Sequence, residues 1–299
     1  MTTGVIELRI FVTGATGLIG ANLIQMLSSQ HTIYAITRNA NNTSRFKNVE
    51  WICQDFSKEQ STDHFPEEID AIIHLAQSEN FKDFPNSAND IFNVNVTSTQ
   101  KLLDYAKKHN VKSFLYASSG GVYGYGNFPF NENQKVFLNH QLGFYITSKL
   151  CSELLTENYS PFFNTIILRF FFVYGPGQKK NMLVPRLVDS IMESKPITLQ
   201  GNHGIRINPT FVDDAANAIC NGLNLNGNQI INVAGPEIIT LREIGETIGK
   251  LVGKDPIFDI QENVFPNDII ADITKMSELL GKPKISFKDG IKRYIDSIH

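Results

Sequence analysis

Tyr145-Ile146-Thr147-Ser148-Lys149 holds the residues of this chain best suited to acid–base chemistry. Within a helix, positions four apart share one face. A lysine ammonium beside a phenol favours the phenolate and lowers the tyrosine pKa. Such a tyrosine can pass a proton to or from a carbinol oxygen while hydride moves at the carbon. Ser118-Ser119 lies upstream, after an apolar run, and a serine hydroxyl can hold the same oxygen. The hydride itself requires a redox cofactor, to which a protein supplies position and charge. The bland readings are a surface Tyr–Lys pair and an ordinary turn. Tyr123 and Tyr159 are rival phenols, and neither has a lysine four residues on.

A cofactor cradle stands near the chain start, in Phe11-Val12-Thr13-Gly14-Ala15-Thr16-Gly17-Leu18-Ile19-Gly20. Ile6, Leu8 and Ile10 before it read as a buried strand; Leu23, Ile24, Met26 and Leu27 after it read as one helix face. Glycine permits a tight turn and close backbone approach. The helix then points free N–H groups and its positive dipole end at a pyrophosphate, as in a dinucleotide-binding βαβ unit.

The surrounding pattern alternates. Thr32–Thr37, Val49–Cys53, Ile69–Leu75, Val111–Ala117 and Asn164–Phe170 read as strands. Ile91–His109 and Leu142–Tyr159 read as helices, with Ser118-Ser119 following a strand. This order predicts an α/β fold, a Rossmann-type doubly wound parallel sheet covered on two faces. Residues 1–174 would be mainly the dinucleotide-binding domain. Residues 175–299 would be mainly a smaller, mixed substrate-binding region, with some segments returning to the main sheet. There, helices are expected near 184–193 and 211–222, strands near Ile197 and Ile230, and a last helix over Leu241–Val252.

At 299 residues the chain can bury a large core. A formal charge of −3 gives no reason to expect nucleic acid or a membrane surface as partner. No apolar run reaches spanning length, and no basic segment leads into an apolar one, so no signal peptide is expected. Cys53, Cys151 and Cys220 lack metal-ligand spacing and suggest core packing in a reducing, cytoplasmic setting. His74 reads as structural at the end of a buried strand. Asp213-Asp214 reads as helix capping, and no metal is expected.

Taken together, the motifs resemble the extended short-chain dehydrogenase/reductases of the NAD-dependent epimerase/dehydratase family, in its nucleotide-sugar modifying branch. The likeness runs through Thr13-Gly14-x-x-Gly17-x-x-Gly20, Asp55, His74-Leu75-Ala76, Asn95-Val96-Thr97-Ser98-Thr99 and Ser119-Gly120-Gly121-Val122-Tyr123-Gly124. It continues through Tyr145-x-x-x-Lys149, Arg169–Pro176 and Phe211-Val212-Asp213-Asp214. The resemblance implies Ser119, Tyr145 and Lys149 as catalytic residues. It implies that Gly14, Gly17 and Gly20 hold the pyrophosphate, that Asp55 meets adenine, that Ala76 borders the nicotinamide, and that Asn95 supports the site. Thr16, Leu18, Ile19, Arg38, Phe56, Leu75 and Ala117 complete the expected cofactor contacts. It further implies a nucleotide-sugar substrate and a homodimer.

Three departures bear on the reaction. Strand two ends Ile36-Thr37-Arg38-Asn39, without the carboxylate that meets the ribose hydroxyls of NAD. Arg38 could pair with a 2′-phosphate, stack on adenine or face water, so the cofactor is NADP or NAD with NADPH favoured. Gly120-Gly121 stands where sugar dehydratases of the family carry Asp-Glu, which argues against elimination of water. Phe172 replaces a family asparagine, and Ile207-Asn208-Pro209 replaces Arg-Asp-Phe. Together with Ser119 and Phe172, the expected substrate contacts are Lys179, Arg186 and Arg206, with Lys180 a further cation; each cation equally suits a solvated surface. The expected reaction is reduction of a nucleotide-bound 4-keto sugar. The runner-up is NAD-dependent 4-epimerisation, and a non-enzymatic NADP(H)-binding role is the third reading.

Overall fold

The protein is described by a computed structural model covering residues 7–39, 46–136 and 143–298. Its first half runs β1 (Arg9–Thr13), α1 (Leu18–Leu27), β2 (Thr32–Thr37), β3 (Val49–Cys53), β4 (Ala71–His74), α2 (Ala88–Phe92), α3 (Ser98–Lys108), β5 (Ser113–Ser119), α4 (Gly143–Asn158) and β6 (Asn164–Phe170). There follow β7 (Val173–Tyr174), α5 (Leu183–Met192), β8 (Ile197–Gln200), β9 (Arg206–Ile207), β10 (Thr210–Phe211), α6 (Val212–Gly222) and β11 (Asn228–Val233). The chain ends with β12 (Ile239–Thr240), α7 (Leu241–Val252), β13 (Phe258–Gln261), α8 (Thr274–Leu279) and α9 (Phe287–Ile298).

Seven strands form one sheet in the order β11-β6-β5-β4-β1-β2-β3. From β5 to β3 every adjacent pair is parallel. Continuous apolar runs suit such a buried sheet: Phe11, Ile72 and Phe114 are fully buried, and Leu102, Leu103, Tyr105 and Ala106 of α3 pack into the same core. The chain forms two compact units. The first comprises the described residues of Met1–Val122, Leu138–Arg169 and Ala216–Ile231; the second comprises those of Tyr123–Phe137, Phe170–Ala215 and Asn232–His299. Residues 123–136 therefore fold with the second unit despite preceding residue 174. Tyr123 reaches the Asn232 side chain at 2.8 Å, whose amide reaches the Phe130 carbonyl at 2.8 Å.

Several elements differ from the sequence pattern. Ile6 and Leu142 lie outside the described residues. β5 runs through Ser118 and Ser119, three residues past Tyr116, its last partner on β4. The helix expected over 91–109 begins at Ala88 and carries one wide π turn, Asn93–Thr97, between α2 and α3. α7 is not the last helix, because α8 and α9 follow. The apolar face of α9 includes Phe287, Ile291 and Tyr294, and Gly290 lets Tyr174 and Phe211 approach its backbone. The cysteines are not core residues: Cys53 ends the edge strand β3 and Cys151 faces outward from α4, both exposed, while Cys220 is half-buried. Asp214, in the first turn of α6, accepts from the backbone N–H groups of Lys284 and Ile285 at 3.0 and 2.9 Å, so it also ties down a distant segment. Among the described residues, no helix is long and apolar enough to cross a membrane.

The turn between β1 and α1 is set by backbone contact. Gly14 has φ +66°, and a Cβ there would lie 2.8 Å from Ala76 N. A Cβ on Gly20 would overlap the Gly14 carbonyl and lie 2.8 Å from Ala15 Cα, whereas one on Gly17 would meet only Gly14 O at 3.1 Å. Overpacking of this kind costs about 1–3 kcal/mol. Gly20→Ala is therefore expected to lower unfolding free energy by about that amount in urea titration, and Gly17→Ala by clearly less.

Candidate active site

The first unit brings the sequence-predicted catalytic residues to the carboxyl edge of its sheet. Gly17 is the N-cap of α1, without a side-chain cap, and the first turn holds no acidic residue. The leading N–H groups of α1 are thus uncontested by a local carboxylate, and the Gly14–Gly20 cradle fits a pyrophosphate. Thr16 and Gly17 are exposed at the apex, while Leu18 and Ile19 are half-buried. Ala76 borders the turn, its N–H donating to Thr13 Oγ1 at 3.1 Å, and Leu75 N donates to Thr13 O at 3.3 Å.

A chain of buried hydrogen bonds runs from this turn to α4. Thr13 Oγ1 lies 2.7 Å from His74 Nδ1, and His74 Nε2 lies 3.0 Å from Thr99 Oγ1. The Thr99 hydroxyl donates to Asn95 O at 2.6 Å, and Ser152 Oγ donates to the same carbonyl at 2.7 Å. Asn95 sits in the π turn, where looser backbone pairing leaves a carbonyl for such hydroxyls. Its side chain accepts from Ser78 N at 2.9 Å and donates to Ser148 Oγ at 2.8 Å. Ser148 Oγ then donates to the Tyr145 carbonyl at 2.6 Å. Because the Thr99 hydroxyl donates to Asn95 O, it accepts from the imidazole Nε2–H, and Nδ1 of the neutral ring accepts from the Thr13 hydroxyl. Burial, followed by the Lys149 charge, lowers the His74 pKa to about 3, so the ring is neutral at neutral pH.

Lys149 is fully enclosed, and its ammonium donates to Ala117 O at 2.8 Å, 5.2 Å from the Tyr116 ring centroid. Burial lowers its pKa to about 8, opposed by Glu153 one turn on. Glu153 is itself buried in a two-pronged pair with Arg169, with Nε 3.0 Å from Oε1 and Nη2 2.6 Å from Oε2. The Tyr145 hydroxyl donates to Gln77 Oε1 at 3.1 Å, and its ring lies 4.9 Å from that of Phe81. Burial raises the Tyr145 pKa. The lowering expected from Lys149 is therefore not the direction in this structure, where the ammonium is turned to the Ala117 carbonyl. Ser119 Oγ accepts from Gly121 N at 3.2 Å. A Cβ at Gly121 would lie 2.5 Å from Ile146 Cδ1, the far end of a side chain, and 3.3 Å from Ser119 Oγ, so Gly121 lies between Ser119 and the start of α4.

The remaining expected residues have the following surroundings. The Asp55 carboxylate accepts from Ser57 N and Oγ at 3.0 and 2.6 Å. Partial burial pushes its pKa up, but the Ser57 bonds and Lys58 outweigh this and hold it low. The Phe56 ring is packed in the core. Arg38 pairs with Glu79 at 2.7 Å. In the second unit, Arg206 is engaged by Asp268 through Nε at 2.8 Å and Nη2 at 2.7 Å. Phe172 is half-buried with φ 43°, and Lys179 and Arg186 are exposed. Sequence reasoning missed Gln77, Phe81 and Glu79. Their one legible signal was position, in the loop beyond the carboxyl end of a central strand, where α/β sheets bind ligands.

Fold and site together define a dinucleotide-binding oxidoreductase of the Rossmann type. Residues 10–234 match the family model described as the NAD dependent epimerase/dehydratase family, and the chain belongs to that family. It is 31% identical to a UDP-glucuronate 4-epimerase of Thermodesulfobacterium geofontis, over 76% of this chain and 72% of the relative. An uncharacterized UDP-glucose epimerase of Bacillus subtilis is 28% identical, covering 98% of this chain and 99% of the relative. The crystal structure of a UDP-glucuronic acid 4-epimerase from Bacillus cereus, with UDP-glucuronic acid and NAD, superposes with a TM-score of 0.85 at 27% identity, covering 97% of this chain and 98% of that one.

The neutral His74 makes a pH prediction. Its folded pKa, about 3, lies below the ordinary 6.5, so the unfolded chain binds the extra proton. The stability it contributes is complete above the unfolded value and falls as pH drops toward the folded one. As pH falls from about 7 to about 5, the proton uptake on unfolding of the wild type should therefore exceed that of His74→Gln by an amount that rises from about a quarter of a proton to about one. Urea titrations of the two proteins across that range measure the difference, and the contribution of His31 cancels between them.

Proposed function

We propose that this chain is an NAD-dependent 4-epimerase of a UDP-activated hexose. The observation that carries the reading is the Tyr145–Lys149 helix, tied by the buried chain through His74 and Asn95 to the glycine cradle of the same unit. The names of the two curated relatives and the NAD in the related crystal structure support epimerisation over the 4-keto-sugar reduction expected from strand two. That expectation and the preference for NADPH leaned on Arg38, whose guanidinium is paired with Glu79.

The Gly14–Gly20 turn and the first turn of α1 would hold the pyrophosphate. When bound, the nicotinamide supplies the hydride acceptor and donor for the sugar carbinol carbon. Tyr145 takes the proton of the C4 hydroxyl as that carbon is oxidised, and returns it to the same oxygen when the carbon is reduced on its other face. Ser119 Oγ holds that oxygen. Lys149 keeps a positive charge at the site, biased toward the charged form by Glu153, and favours phenolate when the proton is in transit. Gly121 leaves no carboxylate beside Ser119, so nothing there assists loss of water. The presence of both Tyr145 and Lys149 argues against a purely binding role.

The test is to incubate the purified chain with UDP-glucose or UDP-glucuronic acid without added cofactor and to follow the C4 epimer by proton NMR. Epimer formation is expected. Tyr145→Phe should reduce turnover by about 100-fold or more, with dinucleotide affinity held within about twofold. Failure to epimerise either sugar, with stoichiometric NADPH consumption on a 4-keto sugar, would return the assignment to the reductase.

A further inference from the structure

Strand β2 ends without a carboxylate, but the structure brings one to that place from elsewhere in the fold. β1 lies between β2 and β4, and both pairings are parallel. All three strands therefore end at one edge. Arg38 is the first residue beyond β2, and Glu79 lies in the loop beyond β4. Their ion pair, Nη2 to Oε1 at 2.7 Å, joins the chain on either side of β1, whose own end opens into the Gly14 turn. The pair is half-exposed, with side-chain accessibilities of 57% and 47%, so a ligand at this edge can reach both groups.

We propose that Glu79 sets cofactor choice in favour of NAD by occupying Arg38. This rests on the reading that the Gly14–Gly20 turn binds a dinucleotide. An arginine just past strand two is well placed to clamp a 2′-phosphate with its two-pronged donor fork. Glu79 takes that fork for itself and places a negative charge where the phosphate would sit. A ribose bearing only hydroxyls loses nothing by this arrangement, and a carboxylate there can accept from them. The selecting acid of this chain thus comes from the β4 loop instead of from strand two. Exposed pairs are individually weak, so the effect shows as selectivity between two cofactors and not as stability.

The experiment uses the full chain, stripped of copurified nucleotide and titrated calorimetrically with NADH and with NADPH. Wild type should prefer NADH. Glu79→Gln should tighten NADPH by about tenfold, the gain of one freed charge-assisted contact, while NADH shifts by less than about threefold. Adding Arg38→Gln should abolish the gain. A wild type that prefers NADPH would overturn the proposal, as would a NADH-to-NADPH ratio in Glu79→Gln within about twofold of wild type. Binding of neither nucleotide by the wild type would instead remove the dinucleotide reading of the turn, and this inference with it.

Discussion

A neutral imidazole sealed between β1, β4 and α3 holds the carboxyl edge of the first unit together. A buried polar group is costly unless each of its hydrogen-bonding atoms has a partner. His74 meets that condition on two sides, at Thr13 and at Thr99. Each partner is directed in turn, Thr99 by the Asn95 carbonyl and Thr13 by Nδ1 of the neutral ring. The direction of every proton in this chain follows from its neighbour, and such networks specify a single arrangement. Protonation of the ring would add a second donor at Nδ1, facing the Thr13 hydroxyl, whose own proton would have to turn away. The glycine turn and the first turns of α4, far apart in sequence, are fixed relative to each other by this one condition.

The same logic places the reactive groups. Lys149 is an ammonium inside the protein, and such a charge needs compensation. It has a carbonyl at Ala117 and the Glu153 carboxylate one turn on, which Arg169 in turn neutralises. Tyr145, at the more open start of α4, has Gln77 as acceptor for its proton and Phe81 against its ring. The lysine is thus locked by the core, while the phenol is held by a loop that can exchange its hydrogen bond for one to a substrate oxygen. This division suits the roles proposed for them, with Tyr145 moving a proton and Lys149 holding a fixed charge.

Much of this was legible in the sequence, for identifiable reasons. β2, β3, β6 and α7 begin and end where the pattern placed them. For α7 the cause is strong local chemistry: a capping box from Thr240 to Glu243 and a left-handed Gly253 at its end. The glycine turn and the Tyr–Lys spacing were legible because each needs particular residue types at fixed offsets. The π turn at Asn93–Thr97 was not, since one of the hydroxyls that its Asn95 carbonyl accepts from belongs to Ser152, which no local pattern links to it. Gln77 and Glu79 were illegible for a similar reason. Their partners, Tyr145 and Arg38, are brought to them by sheet order, and sheet order is a tertiary fact. Arg38 shows the consequence: read alone it pointed to a phosphate, and the fold supplies Glu79 as its partner.

An epimerase oxidises and re-reduces one bound sugar, so it has no need to exchange its cofactor, whereas a reductase must release the spent nucleotide in every cycle. That difference can be read directly by purifying the chain without added nucleotide, denaturing it, and identifying what is released by mass spectrometry. The account predicts NAD in near-stoichiometric amount. An empty protein, or one carrying NADP, would contradict it.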